Sequence, residues 1–437
     1  MKKAFYLLTL CFSFLWSALR AQEVVPVTKS KVLETVAGQN LSIRISEQQR
    51  KEARADYRQT NSVLMPHIAL SYTGFTTTNP LAAFGSKLNQ EVLTTEDFNP
   101  LFLNDPSRTT NYATVLEIRQ PLLNPDGYHQ RKAAAIKMRA AEFQTTRTKD
   151  QLAFDAEKSY MQLQLAYQSV EALQTALEAA RANWKMANDR YEQGYLQKAD
   201  LLAVEVRLIE VKNQLQLAES HVMNASDYLA FLMGKEDQVL LKPADSLMVS
   251  GTGPVAVNEI PLSRADIQAA RLATEAHAAS YRANKMSFLP RINAFGSYQL
   301  YDDDLFQGDA SGYMIGAQLS WHILEGTKRI GKTQKSKAAL ERSKLSYDQY
   351  LSQSNLEMNQ AVRKLSDARN KLRLSKSALD QSRESLRIRT NRFKEGLEKT
   401  ADLLTAETQY ARKQLEYYQA IFELNYTQAY IEFLIKE

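Results

Sequence analysis

Apolar residues follow a helical period over most of the chain. One run alternates three and four residues apart, and another recurs every seven: Val170, Leu173, Leu177, Ala180, Trp184, Ala187 and Tyr191, then Leu365, Leu372, Leu379, Leu386 and Phe393. Such spacing is typical of a coiled-coil seam. It predicts two very long helices, at 130–191 and about 327–393, each about 90–100 Å long. Shorter helices are predicted at 30–64, 198–233, 262–288 and 399–435.

Other segments alternate apolar and polar residues with a period of two, which predicts strands. These segments lie at about 67–75, 111–121, 290–301 and 312–323. Their apolar faces carry Ile68, Leu70, Tyr72, Leu116, Ile118, Tyr298, Leu319 and Trp321. The pattern fits a strand of a membrane barrel with lipid on its apolar side, and it also fits an ordinary half-buried strand.

One stretch of the chain occurs twice. RYEQGYLQKADLL at 190–202 is matched by RFKEGLEKTADLL at 392–404. Each half of the chain reads helix, strand, loop, strand, very long helix, turn, helix, so the same unit is built twice. The predicted organisation is a signal peptide at 1–21, a first repeat at 22–238, a linker at 239–261 around the waist, and a second repeat at 262–437.

The doubled stretch predicts a chain reversal between a long helix and its returning partner. Gly194 and Gly396 follow the long helices. Glycine adopts the left-handed conformation that a helix C-terminus often needs. Arg190 and Arg392, four residues before each glycine, are favourably placed as cations at a helix C-terminus. Asp200 and Asp402 begin the returning helices, where the helix dipole favours an acid.

Composition narrows the class of protein. Lys2 and Lys3 followed by a short apolar run predict a signal peptide, and that run is too short to span a membrane. Cys11, the one cysteine, lies inside this segment, so disulfides and thiolate chemistry are not expected in the exported chain. No dense basic patch indicates nucleic-acid binding. No histidine has zinc-ligand spacing, and no phosphate-binding or hydrolase motif occurs, so neither a metal, a cofactor nor an enzymatic activity is expected.

The strand number has a consequence for assembly. Two repeats supply four strands, whereas the smallest membrane barrels have about eight. Open strand edges in lipid would leave backbone groups unpaired. If these strands enter a membrane, at least two copies must combine, and this reasoning does not choose between two and three.

The motifs resemble the TolC family of outer-membrane efflux channels. The resemblance rests on Met65-Pro66 and Leu289-Pro290 before strands, on Gln120-Pro121-Leu122 after one, and on the doubled turn. It departs at Trp321-His322, where the family often has Gln-Pro. The resemblance implies a mainly α fold with a membrane β-barrel part: a homotrimer whose twelve strands sit in outer-membrane lipid and continue into a helical tunnel through the periplasm.

The resemblance also implies a function. The expected function is that of the exit duct of a tripartite efflux or type I secretion system. This duct would passively conduct substrates from an inner-membrane pump of the RND or ABC type. A periplasmic adaptor, or membrane fusion protein, joins the two. The sequence does not separate drug, metal and protein substrates. A different class stays open, namely a periplasmic coiled-coil adaptor or scaffold without a pore.

Site residues follow from the same resemblance. The turns, with Arg190, Tyr191, Gly194, Arg392, Phe393 and Gly396, would line the periplasmic entrance and contact the adaptor. Asp402 matches a family gate position, and Asp200 matches a weaker counterpart. Thr405 stands where the family often has a second acid, so the gate would carry less charge.

Overall fold

The computed structural model describes residues 24–235, 239–250 and 259–437. The predicted signal peptide lies outside these ranges, as do residues 251–258 of the predicted linker. The strands of the described ranges are β1 (Val24–Val27), β2 (His67–Thr77), β3 (Thr109–Leu123), β4 (Leu240–Pro243), β5 (Arg291–Asp302) and β6 (Ala310–Ser320). The helices are α1 (Lys29–Gln39), α2 (Leu41–Gln59), α3 (Pro80–Asn89), α4 (Pro100–Asn104), α5 (Pro125–Glu192), α6 (Lys198–Leu232), α7 (Ala265–Met286), α8 (Lys328–Lys394) and α9 (Thr400–Ile435).

The chain divides into two compact units. The helical unit takes the chain up to Gln48 together with Phe143–Ile267 and Tyr350–Glu437, and the sheet unit takes Gln49–Glu142 and Gln268–Gln349. The long helices α5 and α8 each contribute residues to both units.

The two long helices are confirmed. They have 68 and 67 residues, which corresponds to about 100 Å each. Helix α5 begins at Pro125, a residue suited to a first helical position, and the side chain of Asn124 accepts a hydrogen bond from the Gly127 amide at 3.1 Å. None of the helices in the described ranges combines the length and hydropathy that a membrane span requires.

The predicted helix at 30–64 is wrong as a single element. It is broken at Asn40, whose extended backbone separates α1 from α2. The Asn40 side chain caps α2 by accepting from the amides of Ser42 and Ile43, and it also donates to the Leu232 carbonyl at 2.8 Å. This contact joins segments far apart in sequence, so the hydrophobic period alone gave no sign of the break.

The core of the helical unit forms around a two-stranded parallel sheet of β1 and β4. Helices α1, α5 and α6 pack apolar side chains against it, and Tyr160, Leu163, Leu229 and Leu241 are almost completely buried there. Strand β4 lies in the predicted linker, so at least this part of the linker is tied to the helices.

The predicted seams are largely buried. Leu173, Leu177, Ala180 and Ala187 on α5 are buried, as are Leu365, Leu379 and Phe393 on α8. The prediction that Tyr191 belongs to the seam is wrong, because this residue is 38% exposed.

The sheet unit contains one antiparallel sheet with the strand order β2-β3-β5-β6. Directly paired residues lie on the same face of an antiparallel sheet. The register aligns Leu70 with Leu116, Leu116 with Tyr298, and Tyr298 with Tyr313. Strands β2 and β6 are the outer strands, each paired on one side only within the described chain.

The long connection between β2 and β3, predicted as an external loop, contains α3 and α4. Gln90, which is buried, holds this connection in place. Its side-chain amide donates to the carbonyls of Thr110 and Asp302 and to the Asn111 side chain, at 2.9–3.0 Å. These bonds fix the connection to the ends of β3 and β5.

Candidate functional site

The two chain reversals have the same backbone. Gly194 has a φ of +77° and Gly396 a φ of +75°, so the predicted left-handed conformation is confirmed at both. In the first turn the Tyr195 amide donates to the Arg190 carbonyl at 2.8 Å, and in the second the Leu397 amide donates to the Arg392 carbonyl at 2.9 Å. This is the Schellman arrangement, which satisfies the last carbonyls of a helix.

The first turn is held by apolar side chains. Ala187, Leu201 and Val204 form a buried cluster beneath it, and Leu196 packs against them. The side chain of Tyr191 lies outside this cluster, with the Lys198 ammonium 5.2 Å from the centre of its ring. The first reversal is therefore a small hydrophobic unit with a cation–π contact at its surface.

The second turn is held by ions. Glu398, two residues before the start of α9, accepts from Arg389 at 2.6 Å and from Arg392 at 2.7 Å. Arg392 also donates to the Leu397 carbonyl at 3.1 Å. The hydrogen bond from Arg392, with the charge of both arginines, holds the pKa of the Glu398 carboxyl below its usual value. Sequence reasoning missed Glu398 and Arg389, because neither is matched by a charged residue in the first copy.

Arg190 joins the two turns. Its guanidinium donates to the Lys394 carbonyl at 2.8 Å and lies 4.9 Å from the centre of the Phe393 ring. Phe393 is buried, at 2% exposure. Arg190 thus contacts the end of α8 as well as standing at the C-terminus of its own helix. Arg392 behaves differently, since its partners lie within its own turn.

The acidic candidates lie in the first turns of the returning helices, Asp200 in α6 and Asp402 in α9. The side chain of Asp402 is 50% exposed, and its carboxylate is 4.0 Å from the Arg389 guanidinium. The Thr405 hydroxyl donates to the Ala401 carbonyl at 2.7 Å. The predicted gate role of these residues stays a prediction.

The strand candidates share one face of the sheet. The register places Ile68, Leu70, Tyr72, Leu116, Ile118, Tyr298 and Leu319 on the same side. All seven are exposed in the single chain, from 36% at Leu116 to 71% at Leu70. The prediction that Trp321 is a strand position is wrong, because β6 ends at Ser320. The Trp321 indole donates to the Phe288 carbonyl at 2.9 Å. The opposite face carries charged side chains, including Glu117 and Arg119, which pair at 2.6 Å.

Comparison with known proteins identifies the class of this molecule. The model of the outer membrane efflux protein family matches residues 32–235 and 256–433. The chain therefore belongs to the outer membrane efflux protein family. None of the curated proteins matches it in sequence.

Solved structures with the same fold include three outer-membrane proteins. The Campylobacter jejuni CmeC outer membrane channel is 15% identical with a TM-score of 0.81, covering 93% of this chain and 85% of that one. The outer membrane protein VceC of Vibrio cholerae is 18% identical with a TM-score of 0.78, covering 93% and 95%. The open state of the Neisseria gonorrhoeae MtrE outer membrane channel is 16% identical with a TM-score of 0.77, covering 93% and 88%.

Family membership and fold together identify the general class of this protein. The protein is an outer-membrane efflux protein with a mainly helical fold. Its family consists of channels rather than enzymes.

Proposed function

We propose that three copies of this chain form an exit duct in the outer membrane, through which substrates pass passively. An inner-membrane pump of the RND or ABC type would deliver them through a periplasmic adaptor. The observation that carries the proposal is the sheet. Within the residues that the structure describes, its two outer strands are each paired on one side only, and one face exposes large apolar side chains.

The sheet supports an oligomeric barrel for a physical reason. In lipid each unpaired backbone group costs several kcal/mol, because no water is present to replace the missing partner. Pairing β6 of one copy with β2 of the next would remove both edges. Three copies of a four-stranded sheet give twelve strands, which lies within the range of known membrane barrels. The shared apolar face would then meet lipid.

The two turns support a second part of the proposal, in which they are the surface that contacts the adaptor. Arg190, Tyr191 and Gly194 in the first turn, with Arg392 and Gly396 in the second, present two similar backbones with different side chains, whereas the predicted contact residue Phe393 is buried in the single chain. A trimer would offer three turns of each kind to the adaptor. The periplasmic adaptor or scaffold without a pore is less well supported, because the chain belongs to an outer-membrane family.

Assembly can be tested on the apolar face. Leu319→Arg places a charge on that face, whereas Gln318→Arg places it on the other face of the same strand. A lipid-facing arginine near the midplane costs about 2–4 kcal/mol. We expect Leu319→Arg to reduce the heat-modifiable trimer in outer-membrane fractions and Gln318→Arg to leave it largely intact. Equal assembly of the two variants would show that the face is not in contact with lipid.

The gate can be tested by conduction in planar bilayers. If the carboxylates of Asp402 meet near the channel axis, they attract cations, and the low-dielectric walls strengthen their field. Asp402→Asn is expected to lower cation selectivity, measured as reversal potential in a salt gradient, and Asp200→Asn to do so less. Asp227→Asn, an exposed carboxylate on the same helix as Asp200, is the control. An unchanged reversal potential in Asp402→Asn would reduce Asp402 to a helix-start residue.

A further inference from the structure

Three polar side chains are buried together close to the turns. Glu407 on α9 is 9% exposed, Asn183 on α5 is 8% exposed, and Arg207 on α6 is 7% exposed. The Asn183 side-chain amide donates to the Glu407 carboxyl. Asn183 and Glu407 belong to different repeats, so this hydrogen bond connects the hairpin of α5 and α6 with the hairpin of α8 and α9.

Glu407 is a carboxyl without an ion-pair partner within the described part of the chain. Arg207 is close enough to attract its charge, yet the ion pair that Arg207 makes is with Glu210 on its own helix, at 3.4 Å. Burial raises the pKa of Glu407 to about 7, and the positive charge of Arg207 only partly opposes this. Burial at this position therefore stabilises the neutral form of the carboxyl relative to the charged form.

The charged groups on the neighbouring helices are occupied elsewhere. On α8, Glu384 pairs with Arg387 at 2.6 Å, and both side chains are more than half exposed. Arg383 of α8 lies near Asp380, at 3.6 Å, and interacts with Tyr410 of α9. On α6, Glu205 accepts from the Trp184 indole of α5 at 3.4 Å. The nearby charge that acts on Glu407 is that of Arg207 on α6.

We propose that Glu407, Asn183 and Arg207 form a proton-sensitive junction that holds the two hairpins together near their turns, more tightly in acid than at neutral pH. Protonated Glu407 stays buried as a neutral group bonded to Asn183. Ionised Glu407 favours an arrangement in which water or Arg207 reaches the carboxylate, and this requires the hairpins to separate. The consequence for conduction, a periplasmic end that opens less readily in acid, rests on the proposed function.

The direction of the pH effect follows from the raised pKa. In the separated state the carboxyl is solvated and titrates near its ordinary value of 4.5, whereas in the closed junction it titrates at about 7. The closed junction therefore has its full stability below about pH 4.5, loses it as the pH rises towards about 7, and changes little above that. One proton is released on opening, so the opening equilibrium changes by at most about tenfold per pH unit.

The repeat supplies a matched control. Glu205 occupies the position in the first hairpin that Glu407 occupies in the second, but Glu205 is only partly buried and bonds to an indole. Removing the charge at Glu205 should leave the junction's pH response unchanged. Removing the charge at Glu407 should abolish it.

The test is hydrogen exchange of the folded protein in detergent, corrected for the intrinsic pH dependence of exchange, read in the segments around Asn183, Arg207 and Glu407. In the unaltered chain, protection should fall as the pH rises through the window between about 4.5 and about 7. Glu407→Gln should show high protection at every pH, and Glu205→Gln should keep the original profile. A pH response that survives in Glu407→Gln, or that is lost in Glu205→Gln, would overturn the proposal.

A second variant keeps the test decisive if Glu407→Gln assembles poorly. Arg207→Gln removes the nearby positive charge, so the pKa of Glu407 in the closed junction should rise further, and the fall in protection, which still begins near pH 4.5, should continue to higher pH. A fall that ends at the same or a lower pH contradicts the junction. Hydrogen exchange needs no conduction, so a protein that forms no pore but shows this profile would refute the exit duct while retaining the junction.

Discussion

The two turns of this molecule share one backbone conformation, but different side chains lie beneath them. Both place a glycine at positive φ after a helix of nearly seventy residues, and both close with the same hydrogen bonds. Beneath the first turn lie Ala187 and Leu196, and at the matching positions of the second lie Arg389 and Glu398. Two apolar residues have thus been exchanged for an ion pair, while Leu403 and Ala406 stay buried in the second turn as Leu201 and Val204 do in the first.

The comparison teaches what a turn of this kind requires. A left-handed residue and two backbone hydrogen bonds define the reversal, and these come from the glycine and the helix end. The side chains beneath are free to differ, provided that each buried group has a partner. Apolar contacts change little with salt or pH, whereas an ion network responds to both. The two turns should therefore differ in how conditions affect them.

The largest expected effect is in the first turn. Leu201→Ala removes a side chain that is 2% exposed in the apolar cluster. Such truncations cost about 2–5 kcal/mol. We expect a loss of this size in the free energy of local opening, measured by hydrogen exchange around Gly194, and we expect it to be independent of salt. A salt-dependent loss would contradict an apolar origin for this turn's stability.

The glycines should behave alike. A Cβ at Gly194 or Gly396 would meet nothing within 4 Å, so the main cost expected of valine there is the strain of positive φ. That strain is about 1–3 kcal/mol. Gly194→Val and Gly396→Val should lower the local opening free energy by similar amounts in hydrogen exchange.

Gly331 is the control for the glycine variants. It also has open space around a Cβ but lies within α8, at ordinary helical φ. Gly331→Ala should be neutral or stabilising by up to about 1 kcal/mol. Unequal effects of the two valine variants would mean that the turns do not share one backbone requirement.

A smaller effect separates the second turn from the first. The lowered pKa of Glu398 means that its contribution is present above its ordinary pKa and is lost as the pH falls through the lowered value. Below about pH 4.5, where the Glu407 junction no longer responds to pH, protection around Gly396 should therefore fall with falling pH and in high salt, while protection around Gly194 stays constant. In Glu398→Gln both dependences should disappear, and their persistence would assign them to another group.

The smallest expected effect concerns the link between the turns. Arg190 lies over the Phe393 ring at 4.9 Å, and exposed cation–π contacts contribute about 0.5–1 kcal/mol. A double-mutant cycle of Arg190→Met and Phe393→Leu should give a coupling free energy in this range. The equivalent cycle of Arg392→Met and Tyr191→Leu should give none, because the structure shows Lys198, not Arg392, at the Tyr191 ring.

Much of the fold could be predicted from local pattern. The seams, the long helices, the strands and the two reversals follow from hydrophobic period and glycine position. The strand faces followed as well, apart from Trp321, which lies one residue beyond the end of β6. The break at Asn40 was missed because one of the groups that hold the Asn40 side chain, the Leu232 carbonyl, comes from a distant part of the chain.

The sequence by itself determined that this protein contains one unit built twice, with long helices reversing at two glycines. Those features depend on neighbouring residues, so a period and a left-handed position suffice to specify them. Only the tertiary structure decided which members of each matched pair differ. Glu407 is buried against Asn183 while Glu205 meets an indole, and Arg190 reaches the other turn while Arg392 stays in its own. Burial, pKa and ion pairing at these positions depend in part on groups from about two hundred residues away, and similar local sequences cannot specify them.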